Sequence, residues 1–201
     1  MTQVSQTEVD EALRNVDDLI DRIGDQVTGS RNEQADGNAY TIREAQHGDH
    51  GYQVIASPSI GYLELRSGFN AVEALAKDMA VANARSGGQV QVSDRVVNSA
   101  RRTVKEQSED VDQQAVEDGL YRRASQNGVA IDLDSQDGVL TAFIASTKLF
   151  VYDEELSPSE FNQSVQSVIN ATVGGRAYLI NEYDLAAALD DAGSDPNRGF
   201  A

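Results

Sequence analysis

His47 and His50 are the only histidines in the chain, and Asp49 stands between them in "HGDHG". Two imidazoles and a carboxylate are ligand types a divalent metal accepts, neutral histidine above all. A catalytic zinc, however, wants three protein ligands, and there is neither a third histidine nor any cysteine. The stretch therefore reads as an exposed hairpin turn. "DLDSQDG", residues 132–138, has a calcium-loop flavour, with Asp132 and Asp134 at the first and third ligand positions. Its glycine comes one place late, and Phe143 stands where the bidentate glutamate belongs, so it too reads as a turn.

Other chemistry fares no better. A serine triad uses a histidine as base, and both histidines lie in one turn, with no G-x-S-x-G elbow anywhere in the chain. Gly87-Gly88 and Gly174-Gly175 follow apolar helical patterns. Phosphate loops place their glycines before a helix, so these pairs read as helix C-caps. Asn162 and Asn170 match the glycosylation pattern but sit inside a predicted helix. No catalytic, cofactor or metal residue is assigned, and the expectation is a non-enzymatic protein without cofactors.

The composition bounds the setting. There are 33 acidic side chains against 16 basic ones, a formal charge of −17, and only three lysines. Such a surface repels itself at low salt, and molar salt screens the repulsion to about 3 Å. Together with small apolar residues in place of large ones, this resembles proteins of extreme halophiles, and high salt is expected to be needed for stability. Zero cysteines excludes disulfides and thiol chemistry. The densest basic cluster, Arg101, Arg102 and Lys105, lies beside Glu106, Glu109 and Asp110, which argues against nucleic acid. "MTQVSQTEVDEALRNV" shows no secretory signal, and no apolar run approaches the ~20 residues of a membrane span. A cytoplasmic protein is expected, with a virion as the alternative.

The elements follow from periodicity. Thr7 with Glu8, Asp10 and Glu11 predicts a helix start, and Val9, Leu13, Val16 and Ile20 its buried stripe. Residues 28–38 read as a polar linker. Tyr40–Ile42, Tyr52–Ala56 and Ile60–Leu65 read as strands, followed by a helix that Asn70 caps, a fourth strand at Val90–Val92 and a helical segment opened by Ser93. A break is expected near residues 106–112. The order then repeats: strands at Val129–Ile131, Val139–Ile144 and Leu149–Tyr152, a helix from Ser157-Pro158, a strand at Ala177–Ile180 and a last helix. The fold class is α+β, two similar β-β-β-α-β-α modules with antiparallel sheets joined by a long helical segment. The expected division is an N-terminal helix and linker (1–38), a first module (39–108), a second (109–191) and a tail (192–201).

The pattern in 138–185, "GVLTAFIASTKLFVYDEELSPSEFNQSVQSVINATVGGRAYLINEYDL", and more faintly in 51–93, resembles the type III secretion chaperone-like superfamily and its YbjN-type members. The resemblance implies non-enzymatic, usually dimeric modules that bind another protein through apolar grooves. Tyr52, Tyr62, Phe143, Phe150 and Tyr152 cannot all point into one thin core, and some are expected to line a surface where halves or chains meet. The function expected is a chaperone-like binder, its partner another protein or a second copy; the alternative is a structural component of a particle such as a haloarchaeal virus.

Overall fold

The computed structural model describes residues 4–86, 92–150 and 156–185. Its elements run α1 (Gln6–Arg22), β1 (Gln26–Ala35), β2 (Asn38–His47), β3 (His50–Ala56), β4 (Leu63–Asn70), α2 (Ala71–Ser86), α3 (Asp94–Glu109), α4 (Gln113–Gln126), β5 (Ala130–Gln136), β6 (Val139–Leu149) and α5 (Pro158–Glu182). The strands form one sheet in the order β1-β2-β3-β4-β6-β5. The chain is α+β with antiparallel pairing, as the sequence indicates. The strands expected in two separate modules lie in this single sheet, and the second half supplies two of them where the first supplies four.

Two compact units emerge: Met1–Gly68 with Ala124–Ile131 and Ile144–Thr172, and Phe69–Arg123 with Asp132–Phe143 and Val173–Ala201. In the first, α1 buries Val9, Leu13, Val16 and Ile20, the stripe read from the sequence. Its start lies at Ser5 rather than Thr7, because Glu8 at the third position returns the Ser5 hydrogen bond and closes a capping box. The expected linker at 28–38 is instead the hairpin of β1 and β2. Asp36 (φ 52°) and Gly37 (φ 79°) form its two-residue turn, both left-handed as a type I′ turn requires. Alternation fails to announce β1 because nine of its ten residues are exposed.

In β2 and β3 one face carries Ala45, Tyr52 and Val54 and the other Ile42 and Ile55, all buried. Residues 60–62 precede β4 rather than belong to it. Ser146-Thr147-Lys148, which lie between the strands expected at Val139–Ile144 and Leu149–Tyr152, are themselves strand: β6 continues to Leu149, with Phe143, Ala145 and Leu149 buried on one face. Ser157 and Pro158 open α5 as expected, and Glu160 adds a second capping box beyond that expectation.

In the second unit Asn70 caps α2 through the Glu73 amide, and α2 packs against α3. The expected break falls between α3 and α4, where Asp112 accepts the amides of Gln114 and Ala115. The expected helix stop at Gly174-Gly175 and the strand at Ala177–Ile180 are both replaced by uninterrupted helix. A Cβ on Gly175 would lie 2.9 Å from the Phe143 ring, so the glycine is there for close approach, not for a cap. Gly119, inside α4, likewise makes room for the Tyr178 hydroxyl, which occupies the place a Cβ would take. The first Gly-Gly pair and Val90 lie outside the described residues.

Candidate functional site

Among the described ion pairs, the most enclosed carboxylate is that of Asp25. Helix α1 is capped by Ile23, Gly24 takes φ +83°, and the Asp25 amide bonds back to the Ile20 carbonyl. This turn delivers a carboxylate that is only 4% exposed. Its Oδ1 lies 2.7 Å from His47 Nδ1, and its Oδ2 accepts the Tyr52 hydroxyl at 3.0 Å. With Nδ1 carrying the proton toward Asp25, a neutral His47 presents Nε2 as its acceptor. Burial, and then the Asp25 charge, push the Tyr52 phenol well above its ordinary range, so it stays a donor. The cluster ties the end of α1 to the β2–β3 hairpin. Arg43 adds a second tie, donating to Asp17 of α1 at 3.1 Å and to Ser30 of β1 at 2.6 Å.

His47 and His50 are the closing pair of that hairpin, flanking Gly48-Asp49, as the turn reading expects. His47 is half-buried against Asp25, whereas His50 and Asp49 are exposed. Asp132 and Asp134 are exposed on β5, and Asp137 (φ 53°) occupies the β5–β6 turn. Among the described residues no group of three His, Cys, Asp or Glu side chains is placed to hold a metal ion.

The five aromatic residues expected at a partner surface separate. Tyr52 and Phe143 are core, 2% and 1% exposed, the one hydrogen-bonded to Asp25 and the other stacked 5.3 Å from Phe69. The phase of β3 and β6 turns them inward. Phe150 is 58% exposed, and its ring lies 6.1 Å from that of half-buried Tyr62. Lys148 sits over the Tyr62 ring at 4.4 Å, a cation–π contact on an exposed patch. Tyr152 lies outside the described residues.

The second unit offers surface clefts. One, of about 290 Å³, runs between α2 and α3 over Met79, Val96, Ala100 and Thr103. Another, of about 440 Å³, is lined by Asn70, Glu73, Lys77, Val97 and Arg176. Ion pairs occupy its rim: Arg101 grips both Glu73 oxygens at 2.6 and 2.7 Å, and Arg176 holds Asp78. The Arg101 guanidinium keeps the Glu73 carboxyl below the usual carboxylate range. Asp25 and Lys148 escape a reading of the sequence. Asp25 follows a helix-ending glycine, a weak signal, but its partners stand 22 and 27 residues away.

No family model matches the chain, and no curated protein matches it. A solved structure, that of an uncharacterized protein from Methanothermobacter thermautotrophicus, superposes with a TM-score of 0.53 over 86% of this chain and 99% of that one, at 14% identity. The likeness is one of fold.

Proposed function

We propose that the chain is a non-catalytic, chaperone-like protein that binds another protein through the Tyr62–Phe150 patch, in a halophilic setting. The carrying observation is Phe150, a large apolar ring left 58% exposed beside Tyr62 and Lys148, more exposed than Tyr121, Val173 or Val27 on the same acidic chain. Aromatic rings are enriched at interface centres, and the rim around such centres is polar and solvated, a place Lys148 can take. The charge of −17 supports a high-salt environment, where contacts must rest on apolar area and short-range pairs rather than long-range steering. None of the described helices is long and apolar enough to cross a membrane.

A photo-cross-linking residue at position 150, used in molar salt, tests this reading. The expected product is one discrete heterologous protein, with the yield at least about tenfold lower when Tyr62 is changed to Ser. Cross-links only to further copies of the chain would overturn it and make the protein an assembly component.

A further inference from the structure

The edge of the sheet formed by β1 carries an inference independent of the Tyr62–Phe150 patch. β1 ends the strand order, so among the described residues its outer side pairs with no strand. The two-residue turn fixes which backbone groups face outward. Ala35 and Asn38 close the turn as a hydrogen-bonded pair, and pairs alternate from there. Glu33 and Arg31 therefore spend their amides on β2, whereas the N–H and C=O of Ser30, Asn32 and Gln34 point away from it. This open ladder is exposed and free of proline, and the one irregularity in its pairing falls earlier, between Val27 and Gly29.

We infer that β1 pairs antiparallel with β1 of a second copy about a two-fold axis at Asn32. In that register Asn32 exchanges both backbone hydrogen bonds with its counterpart, and Ser30 bonds to Gln34 of the other copy. Arg31 stands opposite Glu33 across the axis, twice. Centring the axis on Arg31 or on Glu33 instead would set like charges face to face, which is destabilising. Half-step registers would oppose outward-pointing groups to inward-pointing ones. Charge pattern and hydrogen-bond phase therefore favour one alignment, and its occupant is self-complementary. Arg31 already reaches Glu33 and Glu44 within its own chain, so its guanidinium is held on the face where the partner carboxylate arrives. An edge seam alone buries less than a standard interface, so the dimer is expected to depend on concentration. It is also expected to strengthen with salt, as repulsion between two chains of charge −17 is screened.

Light scattering across a salt and concentration series, on the full chain, tests the pairing. The expected result is a dimer at molar salt. In Asn32→Pro, which removes an outward N–H that β2 does not use, association should weaken at least about tenfold while circular dichroism stays unchanged. Arg31→Glu and Glu33→Arg should each be monomeric alone and form a heterodimer when mixed. A monomer under all conditions, or a dimer indifferent to Asn32→Pro and to both charge variants, would overturn the inference.

Discussion

β1 and β5 are the two ends of one sheet, and each leads into an Asp-Gly turn: Asp36-Gly37 and Asp137-Gly138. Counting back four residues from either aspartate reaches a position whose backbone groups face away from the neighbouring strand, Asn32 in β1 and Leu133 in β5. The flanking side chains differ. Arg31 and Glu33 bracket the first, Asp132 and Asp134 the second. Under a two-fold axis the β1 edge opposes unlike charges, and the β5 edge opposes aspartate to aspartate. Two strand edges of the same local geometry are thus open and guarded respectively, by the sign of one side chain. In a protein with an excess of aspartate, guarding an edge needs no special residue, and the unguarded edge is the one that retains an arginine.

The largest expected effect comes from removing the guard. Asp132→Arg would make β5 self-complementary, the introduced guanidinium facing Asp134 of a neighbour. If β1 already pairs, two two-fold seams at opposite ends of a sheet propagate, and sedimentation at molar salt should show open chains of many copies. Dimers alone in that variant would break the comparison.

A smaller effect concerns what holds each edge in place. β1 hangs on polar ties, Asp25 to His47 and Tyr52 and Arg43 to Ser30, whereas β5 half-buries Ile131 and Leu133. Asp25→Ala leaves the Tyr52 hydroxyl and the His47 N–H without their acceptor. It should cost about 2 kcal/mol and lower the Tm by roughly 4–8 °C. Hydrogen exchange should accelerate in β1 and β2 and not in β5 and β6. Uniform loosening would show that the two edges are not held separately.

The smallest effect is acid sensitivity. Hydrogen bonds from Ser5 hold the Glu8 carboxyl below its usual value of 4.5, and Ser157 does the same for Glu160. A carboxyl lowered on folding contributes stability above its unfolded pKa and loses it as pH falls through the lowered folded value. Stability should therefore decline below about pH 4.5, and Glu8→Gln should flatten that decline slightly. Because α1 contacts β1, the exchange that Glu8 controls should appear at that edge first.

What can be read from the sequence follows the same contrast between apolar and polar signals. The stripe of α1, the caps at Asn70 and Ser157-Pro158, the hairpin at His47–His50 and the α+β class are legible because local periodicity and turn chemistry carry them. β1 is hidden, since exposure on both faces leaves no alternation to detect. Gly174-Gly175 misleads because a glycine that admits a distant ring looks, in one dimension, like a glycine that ends a helix. Of the surface aromatics, Tyr62 and Phe150 are legible as candidates, but strand phase turns Tyr52 and Phe143 inward.

The strand order also sets an order in time. The pairs β1–β2 and β2–β3 need only two-residue turns to meet, and β5 adjoins β6 across another, events of roughly 1–10 μs. β4 and β6, neighbours in the sheet, are separated in the chain by α2, α3, α4 and β5. Closing that span must precede any reward from the pairing. The exposed β1 hairpin can therefore exist before the sheet is complete, so each newly made chain displays its open edge early, while its β4 edge is still uncovered.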